Sequence, residues 1–315
     1  MINRAESYKY FRKHFIIIIV TLWIMPICRA QISQLYKPMP LKKAYENNTR
    51  VMTGKPGPAY WQNKAKYDMQ LEIDIQKSLL RGREEVWYFN NSPDDLDQIV
   101  FRLYHDFMRK GAARDIEIME SSITKGTHIE DFSINDSSIN HKHLIRNGTN
   151  LYINLKEPLN SNDSIKFIIK WNLPLPQKLK SRMGRYENDT YFVSYFYPQI
   201  AVYDDMDGWD MYNFTWIQEF YNDFNDYTYT IELPNDYLIW ATGSLMNPGE
   251  VYSASTLNKY IQAQTSDSVI SIIGENELKR QKNTRQKKNL TWKFKATDIS
   301  DIAFCFSKEY VWDAT

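Results

Sequence analysis

A strict alternation of apolar and polar side chains is the feature that most limits what this chain can fold into. The apolar set is Tyr67, Met69, Leu71, Ile73 and Ile75. The polar set that alternates with it is Asp68, Gln70, Glu72, Asp74 and Gln76. A period of two places each set on its own face of a β-strand. The stretch therefore predicts a strand with one face in a core and the other in solvent.

The same period recurs in five further segments, which begin at Ile99, Leu151, Ile165, Tyr227 and Leu290. Turn-forming residues lie between them, as at 90–95, 160–163 and 233–236. Helical patterns are short and confined to residues 104–113 and 216–222. The sequence predicts an all-β fold, an antiparallel assembly of many strands with few short helices.

The first thirty residues have the pattern of an export signal. Basic residues up to Lys13 precede an apolar run over residues 15–27, and Ala30 offers a small residue for cleavage. A helix of that length spans only about 20 Å, less than the roughly 30 Å hydrocarbon core of a bilayer. We therefore expect residues 1–30 to be a signal peptide and no stable membrane span to remain after cleavage. Lipidation at Cys28 is the alternative, and bulky Ile27 and charged Arg29 argue against it.

The two cysteines are Cys28 and Cys305, so signal removal leaves a single thiol and no intrachain disulfide. Export without disulfides suits a periplasmic or extracellular protein of a bacterial envelope that relies on its core. Residues 31–66 are rich in Lys, Asn, Pro and Gly and lack a period. We expect them to form an extended N-terminal arm along the surface, ahead of a β domain over residues 67–315.

Charge gives no reason to expect nucleic acid as a partner. The chain has 39 basic and 38 acidic residues, and the predicted signal contains five of the first and one of the second. The remainder carries a net charge of about −3, which provides no electrostatic attraction for a phosphate backbone.

Residues suited to metal or nucleophilic chemistry are scarce. His141 and His143 form the only close histidine pair, and no third ligand is evident in a polar segment. Cys305 lies in an apolar run and is expected to be a buried, inert thiol. Asp204 and Asp205 are adjacent, so on a strand they would point to opposite faces and would not flank one glycosidic bond. No catalytic residue and no metal ligand is predicted in this chain.

Four stretches resemble the amino-terminal domain of the aminopeptidase N family of zinc metallopeptidases, in the same order along the chain. They are residues 79–96 (LLRGREEVWYFNNSPDDL), 196–205 (FYPQIAVYDD) with Gly208 and Trp209, 219–224 (EFYNDF) leading to Ala241-Thr242-Gly243, and 306–313 (FSKEYVWD). The second is similar to a hairpin found near the substrate in envelope relatives from Bacteroidetes-like bacteria. Together the four cover roughly residues 60–315.

The resemblance implies a saddle-shaped β domain that packs against a thermolysin-like catalytic domain. In that family the catalytic domain carries zinc on a His-Glu-x-x-His motif and cleaves amino-terminal residues from a peptide. That motif is absent here, and the chain stops at Thr315, so we expect no cofactor in this chain and no activity from it alone. The resemblance places Gln199 where the family has a glutamine near the substrate amine. The acidic residue often found two positions on is Ala201 here.

Two hypotheses about function follow. The first is a non-catalytic domain of an exported zinc metallopeptidase that supports and partly lines the peptide site, with Gln199 as the substrate contact. The alternative for Gln199 is a purely structural hydrogen bond to backbone. The second hypothesis is a stand-alone binding or scaffold module. An exposed apolar patch favours the first, because a domain that docks on another keeps apolar surface for the contact.

Overall fold

The computed structural model describes residues 36–177, 182–187, 189–281 and 288–315. The predicted signal peptide and Cys28 lie outside these ranges. The chain divides into two compact units, one ending at Tyr60 and one running from Trp61 to Thr315. None of the helices in the described ranges is long and apolar enough to cross a bilayer.

The first unit contains a helix, although residues 31–66 were predicted to be extended. Helix α1 is Met39–Glu46, with proline among its first residues, where the missing N–H is not needed. Ala44 is buried, and its carbonyl accepts hydrogen bonds from the backbone N–H of Thr49 at 3.0 Å and of Arg50 at 3.3 Å. The sequence showed no period here because eight residues make only two turns.

Strands are the main secondary structure of the second unit, which confirms the predicted all-β class. They are β1 Lys64–Asp74, β2 Leu79–Phe89, β3 Leu96–Arg102, β4 His128–Ile134, β5 Ser137–Ser138, β6 Leu144–Asn147, β7 Asn150–Leu159, β8 Ser164–Pro174, β9 Gly184–Arg185, β10 Tyr191–Val193, β11 Gln199–Ile200, β12 Tyr203–Asp204, β13 Gly208–Trp209, β14 Asn225–Pro234, β15 Leu238–Ala241, β16 Ser244–Leu245, β17 Ile270–Ile273, β18 Asn289–Ile299, β19 Phe304–Ser307 and β20 Trp312–Ala314. Strand β1 begins inside the segment predicted to be the arm.

The remaining helices are few and short, as predicted, but they lie at other positions. They are α2 Pro248–Val251, α3 Ala254–Ala263 and α4 Glu275–Gln281, with 3₁₀ turns at Tyr104–Met108, Glu120–Ser122 and His141–His143. The helix predicted over 104–113 is only the first of these turns. The helix predicted over 216–222 does not form, because Trp216 has φ 102°, far from helical values.

The described strands form five sheets. The largest has the order β16-β18-β14-β1-β2-β8-β4-β5. Two four-stranded sheets have the orders β15-β19-β10-β9 and β11-β3-β7-β6, and β12-β13 and β17-β20 pair separately. Neighbouring strands are antiparallel except β1 and β14, which pair in parallel with Tyr67 opposite Tyr227. The prediction of an antiparallel assembly therefore holds for the sheets in general and fails for this pair.

One aromatic core joins the three larger sheets. The ring of Phe101 on β3 lies 5.2 Å from that of Phe167 on β8, centroid to centroid, and Phe196 lies 6.2 Å from Trp171 and 5.2 Å from Phe304. Each of these side chains is at most 1% exposed. Burying such a side chain contributes about 1.5–3 kcal/mol. The alternating faces predicted from the sequence supply this core.

Candidate functional site

The residues that carry the family resemblance converge on a short hairpin. Strands β12 and β13 pair Tyr203 with Trp209 and Asp204 with Gly208, and we call residues 203–209 the 203–209 hairpin. The predicted hairpin in this region was longer, and only these residues form it. Gly208 has φ +74°, which glycine adopts without strain. The Asp204 carboxylate accepts from the backbone N–H of Met206 at 3.0 Å and of Asp207 at 2.8 Å, so the tip is internally closed.

Two other motifs hold this hairpin in place. The Tyr203 hydroxyl donates to Asp94, in the turn before β3, at 2.8 Å. The ring of Trp209 lies 6.0 Å from that of Tyr88 on β2. From the third motif, the Tyr221 hydroxyl donates to the second Asp204 oxygen at 3.1 Å. Stretches that are more than a hundred residues apart in sequence therefore meet at this one place.

The segment after the hairpin, residues 210–224, is a long loop that is tied down at its base. Buried Arg102 donates to Asn150 at 2.8 Å and to the Asp210 carbonyl at 3.1 Å. The Asn150 amide donates to the Met211 carbonyl at 2.7 Å. At the far end, the Tyr104 hydroxyl donates to Asn222 at 2.7 Å. Such anchors fix the loop's course without covering its outer side chains.

Exposed apolar side chains concentrate on this 210–224 loop. Their exposed fractions are Met211 50%, Tyr212 72%, Ile217 67%, Tyr221 48% and Phe224 51%. Single exposed apolar residues are normal on a protein surface, whereas large contiguous apolar patches mark contact sites. We call these five side chains the loop patch.

Acidic groups accompany the loop patch. Asp223 is half-buried, and its carboxylate accepts from Gln62 at 3.4 Å. Burial raises the pKa of Asp223 to about 7, with nearby Asp204 acting in the same direction. Asp223 therefore titrates near neutral pH. Sequence reasoning did not single it out, although it lies within one of the quoted motifs, because the burial that shifts its pKa is a tertiary property.

Gln199 on β11 is only 1% exposed. It pairs with Arg102 across β11 and β3, and its amide nitrogen donates to the Ser300 carbonyl at 3.1 Å. Among the residues described, its amide oxygen has no hydrogen-bond partner. The structural alternative, a hydrogen bond from the Gln199 side chain to backbone, is therefore present, with the carbonyl of Ser300 after β18 as its acceptor. Its predicted contact with a substrate stays a prediction.

Buried tyrosines and one aspartate surround Gln199. The Tyr197 hydroxyl lies 2.9 Å from the Asp301 carboxylate and 3.0 Å from the Tyr227 hydroxyl. The Tyr67 hydroxyl accepts from the Ile200 backbone N–H at 3.0 Å. Burial raises the pKa of Asp301 to about 6 and the pKa of Tyr197 well above its usual value. The three tyrosines of this cluster are buried, and Asp301 is half-buried.

The structure also gives the positions of the histidines and the cysteine that were considered for metal or nucleophilic chemistry. His141 and His143 are exposed on a 3₁₀ turn. Within the described ranges, no group of three or more His, Cys, Asp or Glu side chains could hold a metal ion. Cys305 lies on β19 as predicted, but it is half-buried rather than buried, because Phe304 and Phe306 take the core-facing positions. Burial still raises the pKa of its thiol.

Comparison with known proteins gives structural similarity only. No protein-family model and no curated protein matches the chain. The M1 zinc metallopeptidase from Deinococcus radiodurans is similar at 12% identity and TM-score 0.44, covering 80% of this chain and 43% of that one. A mutant of that enzyme bound to a Tyr-ser-ala substrate is similar at 11% identity and TM-score 0.43, with 80% and 44% covered. The chain spans less than half the length of these structures.

Proposed function

We propose that this chain is the non-catalytic β domain of an exported aminopeptidase N-type zinc metallopeptidase of the bacterial envelope. The observation that supports the proposal is the convergence at the 203–209 hairpin. Asp94, Tyr203 and Tyr221 belong to three separate stretches that resemble the family, and they are joined there by hydrogen bonds of 2.8 and 3.1 Å. Four weak motifs in order, three of them in contact, make a stronger case than any one of them.

In this proposal the loop patch docks on a thermolysin-like catalytic domain that carries zinc, and the hairpin stands beside the peptide site. The patch supplies apolar contact area, and Asp204 beside it supplies a carboxylate. A carboxylate near a peptide's amino end attracts its ammonium group. Gln199, on β11, is the proposed substrate contact, and its amide oxygen has no hydrogen-bond partner among the described residues.

The alternative, a stand-alone envelope module, predicts a mostly polar surface in the place of the loop patch. Five exposed apolar side chains on residues 210–224 favour the docking domain.

The deciding experiment is the intact mass of the native protein from envelope extracts, captured with antibody against residues 31–315. A species several hundred residues larger, containing zinc and cleaving aminoacyl reporters, is the expected result. A native species that ends at Thr315 and binds no second domain would overturn the proposal in favour of a module that acts by itself.

A further inference from the structure

A pocket lies where β4, β6 and β7 meet the 3₁₀ turn after β3. Its volume is about 280 Å³. Its lining consists of the basic side chains of Arg109, His128, His141 and Arg146 and the apolar side chains of Ile129, Leu144 and Leu151. Small-molecule sites combine apolar walls with a few convergent polar groups in this way. We call it the two-arginine pocket.

A buried carboxylate organises the two arginines. Asp106 is 1% exposed, and one of its oxygens accepts from the Thr127 backbone N–H at 2.7 Å. The other oxygen lies 3.0 Å from Nη1 of Arg146 and 3.6 Å from Nη1 of Arg109. Gly126 has φ +72°, and a β-carbon there would overlap both Asp106 and Arg109. The loop before β4 is therefore shaped to let these groups meet.

The positive charge of the two arginines exceeds the negative charge of the Asp106 carboxylate. Asp106 is already satisfied by Thr127 and Arg146, and Arg146 also donates to the Thr127 carbonyl at 2.9 Å through the same nitrogen. Arg109 contacts Asp106 only at 3.6 Å, and its side chain is 43% exposed. Two guanidinium groups against one carboxylate leave a net charge of +1, before any contribution from the imidazoles.

The chemistry of the pocket selects its ligand class. Arginine is never deprotonated in proteins and presents several N–H donors in one plane, which matches the oxygens of carboxylates and phosphates. Within the described residues, all contacts of Arg146 use Nη1, so its remaining donors are available to a ligand. Exposed His128 and His141 also line the pocket, and Nε2 of His141 already lies 3.1 Å from the Glu130 carbonyl. A cation would meet a net positive charge here.

We propose that the two-arginine pocket binds a small oxyanion, the phosphate or carboxylate group of a small molecule. Arg109 and Arg146 hold its oxygens, His128 lies beside them in the lining, and Ile129, Leu144 and Leu151 pack against any apolar part. The site is independent of the loop patch and of the proposed peptidase function.

The test is isothermal titration calorimetry of the purified chain with inorganic phosphate and, separately, with glutarate. Ionic strength is held at about 0.15 M, so that screening is the same throughout. We expect saturable one-to-one binding with a dissociation constant of about 1 mM or tighter for at least one anion. Preference for phosphate or for glutarate then distinguishes the two sources of the oxyanion. No saturable binding of either anion would overturn the proposal.

Substitutions of single residues test whether the anion binds in the two-arginine pocket. Arg109→Gln should weaken it at least about tenfold, and Arg109→Lys, which keeps the charge and loses the planar fork, should weaken it less. Because Arg109 is 43% exposed, both variants should keep the fold, which urea unfolding checks. Lys77→Gln removes one positive charge from an exposed turn outside the pocket and serves as the matched control. An equal loss in Lys77→Gln and Arg109→Gln would show non-specific screening and would also overturn the proposal.

Discussion

At the scale of single residues, burial decides how the charged groups behave. Asp223 and Asp301 keep protons to higher pH than an exposed aspartate, with pKa values of about 7 and about 6. His105 is buried on the turn after β3, and burial lowers its pKa to about 3, so it stays neutral at physiological pH. None of these shifts follows from the residue type, and each follows from the atoms packed around it.

The first prediction concerns Asp223. Its pKa is raised in the fold, to about 7, against about 3.9 in the unfolded chain. Between these values the folded state holds a proton that the unfolded state releases, so the free energy of unfolding contributed by this group falls as pH rises from about 4 to about 7. Carboxyl carbon NMR should show a titration midpoint near 7 that Asp223→Asn removes. Asp207→Asn, at the exposed hairpin tip, is the control, and a midpoint near that of a free aspartate would contradict the prediction.

The second prediction concerns Gly82, which stands opposite Trp171 in the pairing of β2 with β8. A β-carbon at Gly82 would overlap the indole of Trp171, which is 1% exposed and cannot move outward. Gly82→Ala should therefore lower the free energy of unfolding by about 1–3 kcal/mol. In Gly249→Ala, the matched control on α2, the nearest atom is 3.9 Å away, so stability should not fall. Urea unfolding of both variants measures the difference, and equal midpoints would be inconsistent with this packing.

At the scale of strands and helices, both the local hydrophobic period and long-range packing decide which element forms. The period predicted the buried face of β1 correctly, because Tyr67, Met69 and Leu71 are each at most 3% exposed. The helix expected over 216–222 failed because Trp216 is held elsewhere. Its ring stacks 5.3 Å from Phe107 and lies under the Arg182 guanidinium at 5.7 Å. Helix α3 was missed although Ser253, whose hydroxyl accepts from the Thr256 N–H at 3.2 Å, is a recognisable N-cap.

The third prediction concerns the 203–209 hairpin as an element. Asp204 closes its tip and also receives the Tyr221 hydroxyl. Asp204→Ala should raise hydrogen exchange at the amides of Met206 and Asp207 and loosen residues 219–224, while the core sheets stay protected. Exchange measured by mass spectrometry on peptic fragments checks this, with Asp207→Ala as the control at the same tip. Unchanged exchange in Asp204→Ala would contradict the prediction and show that the hairpin is held without the Asp204 carboxylate.

At the scale of the whole molecule, the feature that bears on function is the exposed apolar surface of the loop patch. The loop that carries the patch is held at the Asp210 and Met211 carbonyls by Arg102 and Asn150, and at the Asn222 side chain by Tyr104. An ordered apolar surface costs little entropy when it binds, so it suits association with a partner.

The fourth prediction follows from that surface. The isolated chain should bind a hydrophobic dye and self-associate as concentration rises, because the loop patch meets water. Replacing Met211, Ile217 and Phe224 with serine should suppress both effects and change the free energy of unfolding by no more than about 0.5 kcal/mol each. Sedimentation velocity and dye fluorescence are the measurements. The control replaces exposed Met39, Met52 and Val269, which lie outside the loop, and an equal effect there would contradict a specific patch.

The sequence by itself determined which residues face the core, because a period of two is a local property of the strand backbone. It therefore predicted the all-β class, the buried faces of β1, β8, β14 and β18, and the turns between strands. It also gave the resemblance, which rests on short motifs.

Only the tertiary structure decided which strands pair and in which direction. The side-chain pattern of β1 and β14 is the same for either direction, and the two segments are far apart in the chain, yet they pair in parallel. The burial of Gln199, the pKa of Asp223 and the meeting of Arg109 with Arg146 on Asp106 are long-range contacts as well. Such contacts depend on packing between distant segments, and a local pattern carries no information about that packing.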